Sequence, residues 1–194
     1  VSSVKFALKA EAAGVDAVVC EGFEAGGHNG REETTTFALI PMVKEQVKIP
    51  VIAAGGIGSG RGMLAAMVLG ANGVQVGSRF AATKESSAHT NFKETIVNVK
   101  DGDTQLTLKE LAPVRLVKNK FFNEVQALYQ QNPTIDDIKE LLGRARAKKG
   151  MFEGDLDNGE LEIGQVAGLI HEIKSAKEVI DEMMTEFEAV KKQF

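Results

Sequence analysis

The stretch Pro50-Val-Ile-Ala-Ala-Gly-Gly-Ile57 constrains the fold more than any other part of this chain. Val51 to Ala54 carry no charge and have the length of a strand covered on both faces, the pattern of a buried parallel sheet. Gly55 and Gly56 then remove both side chains where the backbone turns. Unusual φ/ψ values become accessible there, and peptide N–H groups can approach an anion closely. Ser59 is placed to cap a helix from Gly60 to Leu69, and Gly70 to end it. A second unit follows at once, because Gly73-Val-Gln-Val-Gly-Ser-Arg-Phe80 is another short strand that breaks at a glycine beside a hydroxyl. Either glycine pair alone is more often plain turn chemistry. Two such strand ends, one helix apart, suit a single phosphate.

The residues upstream repeat the grammar. Val1-Ser-Ser-Val4 reads as a strand end with a serine cap, Val4 to Ala13 as a helix stopped by Gly14, and Val15 to Cys20 as a strand. A polar, glycine-rich loop runs from Glu21 to Gly30. Thr34 to Val47 returns as a helix, with Leu39, Ile40, Val43 and Val47 on one face and Pro41 tolerated near the first turn. Alternating helices and strands at this spacing imply a parallel sheet with right-handed crossovers. The expected class is α/β, and more narrowly the C-terminal part of a (β/α)8 TIM barrel with three βα units visible. In such barrels a phosphate commonly sits at the loops after the last two strands, near a short extra helix. A closed barrel needs eight strands, so the chain is expected to belong to a longer protein. The alternative is a small open sheet.

After Phe80 the grammar changes. A helix is expected from Thr90 to Val99, a turn at Asp101-Gly-Asp103, and an extended segment between Leu106 and Leu116. Helices are expected at Asn119–Gln131 and Thr134–Lys148, then a loop to Gly159, a small-residue segment at Ile163–Ile170, and a closing helix from Ser175 to Phe194. Residues 1–100 thus read as the barrel part and 101–194 as a helical extension packed beside it.

With 43% hydrophobic and 26% charged residues, the chain has the composition of a soluble domain with a real core. No apolar run approaches the roughly 18 residues of a membrane span, and a cytoplasmic location is expected. Cys20, the only cysteine, excludes an internal disulfide and reads as core filler. The three histidines lack metal-ligand spacing, so no transition metal is expected. A net charge of −4 argues against nucleic-acid binding. His28 stands on the loop after a strand, at the face where barrel enzymes keep their active sites, and an imidazole there can move a proton near neutral pH. A solvent-facing loop histidine is the bland alternative. Glu21 and Glu24 are either acid/base partners of His28 or solvated loop charges, and His89 and His171 read as structural.

Glu21-Gly-Phe-Glu-Ala-Gly-Gly-His28, Ile49 to Ile57 and Val74-Gln-Val-Gly-Ser-Arg-Phe80 resemble, in order and spacing, the flavin-dependent nitronate monooxygenases (2-nitropropane dioxygenases) and the type II enoyl-acyl-carrier-protein reductases. Lys84 to Lys93, Gly154 to Gly159 and Gly164 to Leu169 look more like the reductases. The resemblance runs from Val1 to about Leu169. It implies that Gly55, Gly56, Gly77 and Ser78 hold an FMN phosphate, that Glu21, Gly26, Gln75 and Val76 border the cofactor, and that His28 is the active-site histidine. The family often has glutamine where Glu21 stands. It further implies reduction of an enoyl thioester on acyl carrier protein by NADH or NADPH through FMN, in fatty acid biosynthesis, by a homodimer. The alternative is oxidation of alkyl nitronates with FMN and O2, and a third possibility is a non-catalytic fragment. Arg144, Arg146, Lys148 and Lys149 are candidates for docking the acidic carrier protein.

Overall fold

A computed structural model describes residues 1–193. Its first layer is a three-stranded parallel sheet of β1 (Val18–Glu21), β3 (Val51–Ala54) and β4 (Gly73–Gln75), ordered β1-β3-β4. The central strand pairs Val18 with Val51 on one side and Ala53 with Val74 on the other. That position between two neighbours explains why β3 carries no polar residue. Helices α1 (Val4–Ala12), α2 (Thr36–Lys44) and α3 (Gly60–Val68) connect and cover the strands. Ala7, Leu39, Ile40, Val43, Val51 and Ala66 meet in one apolar core with Cys20. Burial pushes the Cys20 thiol pKa up, so this cysteine is an unreactive filler. The Ser59 hydroxyl accepts from the Gly62 N–H at 3.1 Å and caps α3 as its position predicts. Ser3 stands at the N-cap of α1, but its side chain makes no capping bond.

Val1 continues the sheet beside β1. Its backbone nitrogen donates to the Val19 carbonyl at 2.6 Å, and its own carbonyl accepts from the Glu21 N–H at 2.9 Å. This is the pairing expected of a strand end.

The second half departs from a purely helical extension. The segment between Leu106 and Leu116 is two strands, β5 (Thr104–Thr107) and β6 (Val114–Val117), joined as an antiparallel hairpin. The glycine-rich loop contributes a third, β2 (Gly27–His28), which pairs antiparallel with Val114 and Arg115. Residues on both sides of position 100 therefore share one sheet. The expected helix at Thr134–Lys148 ends early: α7 spans Ile135–Leu142 and Gly143 terminates it at φ +62°. A turn of π-helix follows at Lys148–Phe152. Helix α4 (Ser78–Ala81) begins immediately after the short β4, α5 spans Thr90–Asn98 and α6 spans Lys120–Tyr129.

The closing helix α8 covers Ala176–Lys191 and gives way to a turn at Lys192 and Gln193, so it ends short of the expected range, whose last residue, Phe194, lies outside the described residues. Ser175 and Glu178 form a reciprocal capping box at its start. It packs on α3 so closely that a Cβ on Gly60 would fall 2.2 Å from the Met183 carbonyl oxygen. Ion pairs Arg61–Glu186 at 3.1 Å and Arg79–Glu182 at 2.7 Å tie it to α3 and α4. No described helix is long and apolar enough to cross a membrane.

Candidate active site

The strand ends of the parallel sheet open on one cavity of about 260 Å³. Glu21, Gly26, Gly55, Gly56, Gln75, Gly77 and Ser78 all line it. Val76 does not, because its side chain packs into the sheet core instead. Gly55 and Gly56 take φ of +90° and +69°, left-handed values that favour glycine, and a Cβ on Gly55 would sit 2.6 Å from the Gly22 carbonyl oxygen. Among the described residues, the N–H groups of Gly55, Gly56 and Gly77 donate to no backbone acceptor. A Cβ on Gly77 would meet nothing within 4 Å, so it would project into open space. The Ser78 hydroxyl accepts from the Gly164 N–H at 3.0 Å, which leaves its own proton to donate. Unengaged N–H groups, a free hydroxyl proton and room where a side chain is missing fit the phosphate of a flavin nucleotide.

The loop after β1 is braced from behind. Glu24 accepts from the Thr36 N–H at 2.9 Å, and the Thr36 hydroxyl lies within reach of Glu24, Ala54 and Gly55 oxygens, donating to one at a time. Glu24 thus caps the start of α2, where a negative charge is favoured, and is no acid/base partner of His28. Burial raises the Glu21 pKa above its ordinary value.

His28 is exposed and does not line the first cavity. It lines a second, of about 170 Å³, with Leu108, Val114, Leu142, Arg146 and Glu160. Residues two positions apart line the two cavities, Gly26 and Glu162 the first, His28 and Glu160 the second. The edge of β6 causes this juxtaposition: Val114 pairs with His28, and two residues on Leu116 bridges to Glu162. Glu160 is 8% exposed. Burial raises its pKa, and Glu162 adds to the effect while His28 and Arg146 oppose it. Burial likewise raises Glu162, against His28.

Sequence reasoning missed both glutamates. Their signal was the alternation Glu160-Leu161-Glu162-Ile163, which puts Leu161 and Ile163 in the core and both carboxylates on the other side.

The basic patch is corrected by the direction of one side chain. Arg146 turns inward, donating to the carbonyls of Leu141, Leu142 and Asn158 at 2.7–2.9 Å and stacking on Phe121. Lys148 pairs with Glu153 and Lys149 with Asp155. Only Arg144 of the four is left exposed without an ion pair among the described residues. His89 caps α5 through Nδ1, which accepts from the Asn91 N–H.

The nitronate monooxygenase family model matches residues 1–186. The chain belongs to this family. It is 35% identical over 184 residues to a probable nitronate monooxygenase of Staphylococcus saprophyticus, covering 90% of this chain and 52% of that protein. A probable nitronate monooxygenase of Staphylococcus aureus is 41% identical over 154 residues, 75% of this chain and 43% of the relative. The chain therefore spans about half the length of the curated relatives it matches. Among solved structures, FabK from Thermotoga maritima superposes with a TM-score of 0.91 at 43% identity, covering the whole of this chain and 61% of that one. The nitroalkane oxidase of Streptomyces ansochromogenes superposes at 0.83 and 29% identity, over the whole of this chain and 58% of that one. The chain shares its α/β fold with both solved structures.

Proposed function

We propose that this chain is the C-terminal part of a (β/α)8 barrel that binds FMN and reduces the double bond of an enoyl thioester carried on acyl carrier protein, with NADH or NADPH as reductant. The observation that carries the flavin assignment is the convergence of two glycine strand ends and Ser78 on one cavity beside the short helix α4, the arrangement of barrel phosphate sites. The cavity falls below the roughly 300–1,000 Å³ of complete small-molecule sites, as befits one wall of a larger pocket.

Bound FMN would supply the hydride chemistry that links the nicotinamide to the enoyl double bond. The chain's own residues do the rest. The N–H groups of Gly55, Gly56 and Gly77 and the Ser78 hydroxyl hold the phosphate, Glu21, Gly26 and Gln75 border the cofactor, and His28 gives a proton to the α-carbon from the second cavity.

One observation favours the reductase over nitronate oxidation: the similarity to FabK, 43% identity at a TM-score of 0.91, is higher than that to nitroalkane oxidase, 29% at 0.83. The family match itself keeps nitronate oxidation as the second reading. Anaerobic mixing of the full-length, flavin-loaded protein separates them. NAD(P)H should bleach the flavin and enoyl thioester should restore it, whereas bleaching by nitronate alone would establish the oxidase. His28→Ala should keep its FMN and its reduction by NAD(P)H but lose about 10²–10⁴-fold in reoxidation by enoyl substrate. Equal losses in both half-reactions would mean that His28 shapes the pocket and does not serve the chemistry.

A further inference from the structure

We infer that the second cavity, beside His28, receives the hydrocarbon end of the acyl chain and accommodates about six of its carbons. The inference rests on the enoyl-thioester reading and names the part of that substrate this chain itself selects. The walls are apolar: Leu108, Leu111, Ala112 and Val114 from the β5–β6 hairpin, Leu142 and Ala145 from the end of α7 and the turn after it. His28 and Glu160 are gathered with Arg146 as its polar members. Arg146 donates one N–H of each guanidinium nitrogen to a backbone carbonyl, and a hydrocarbon finds six apolar walls around it.

The size sets the length. The cavity holds about 170 Å³, and an engineered apolar cavity of about 150 Å³ binds benzene, a six-carbon guest. Its shape is held by backbone of uncommon geometry. Leu108 and Ala145 take φ of +56° and +59°, left-handed values that a side chain such as leucine adopts only where the surroundings enforce them, often at ligand clamps. The position also fits the chemistry. A chain anchored here leads past Gly27 and Glu162 into the first cavity, so the carbons next to the thioester lie between His28 and the flavin side.

The test uses the full-length, flavin-loaded protein with methyl-labelled leucine and valine. A saturated hexanoyl-pantetheine thioester should shift the methyl resonances of Leu108, Leu111, Val114 and Leu142. Affinity in a series of saturated thioesters should rise about fourfold per methylene up to about six carbons and then level off. Ala112→Phe, at an exposed position on the cavity, should weaken hexanoyl binding at least tenfold while leaving the acetyl thioester unaffected, and should move the kcat/KM optimum for enoyl substrates to shorter chains. Silent methyls, or a chain-length profile that Ala112→Phe does not alter, would overturn the inference. If no enoyl thioester reoxidises the flavin although hexanoyl thioester still moves the four methyls, the reductase reading fails and the hydrocarbon site stands.

Discussion

Alanine at Gly55 and at Gly77 should damage the protein in opposite ways. At Gly55 the backbone is left-handed at φ +90°, and the new Cβ would lie 2.6 Å from the Gly22 carbonyl oxygen and 3.1 Å from the Gly22 nitrogen. Forcing a non-glycine residue into that region costs about 1–2 kcal/mol. The contact is with backbone, which no rotamer change relieves, and overpacking adds about 1–3 kcal/mol. For a chain of this size each kcal/mol lowers Tm by roughly 2–4 °C. Gly55→Ala should therefore melt some 4–20 °C below the parent, on the combined cost of about 2–5 kcal/mol. Gly77 has φ −99°, and a methyl group added to its Cα would have no atom within 4 Å. Alanine there is unstrained and should leave Tm within about 2 °C or raise it slightly by restricting the unfolded chain. Its methyl occupies the space assigned to the phosphate, so FMN affinity should fall at least tenfold, about 1.4 kcal/mol. Thermal melts followed by circular dichroism and flavin fluorescence titrations give the two readouts. Undiminished FMN affinity in Gly77→Ala would refute the placement of the phosphate, and an unchanged Tm in Gly55→Ala would refute the account of that turn.

Three further outcomes follow from the same geometry. Glu160 and Glu162 bind a proton more tightly folded than unfolded, so their contribution to stability is full below the ordinary value of 4.5 and is lost as pH rises through their raised folded values. Glu160→Gln should flatten that decline, measured by urea denaturation between pH 4.5 and 7.5; an unchanged slope would mean that Glu160 is not proton-binding in the fold. Arg146→Ala should cost about 3 kcal/mol or more by stranding three carbonyl acceptors and uncovering Phe121, whereas Arg144→Ala should stay within about 0.5 kcal/mol; equal urea midpoints for the two variants would restore Arg146 to the surface patch. Thr36→Val should lose about 1–3 kcal/mol, because Glu24 and the Gly55 carbonyl share its hydroxyl, and an unaltered urea midpoint would show that this brace is dispensable.

Whatever is encoded within one or two elements was legible in residue type and spacing. The uncharged run Val51–Ala54, the glycines after it and the caps at Ser59 and Ser175 act through contacts a few residues apart, so no knowledge of the distant chain is needed to read them. The antiparallel sheet became visible only in the folded chain. Its strand β2 is two residues long, too short to show a period, and its partners are Val114 and Arg115, in the distant second half of the chain. Residues 160–163 do show alternation, yet their meaning depends on the edge of β6, which brings Glu162 beside the end of β2 and places both carboxylates around His28. The inward turn of Arg146 is of the same kind. A charge in sequence reads as solvated until the fold presents it with carbonyls and the face of Phe121, and only close packing of distant segments creates that alternative to water.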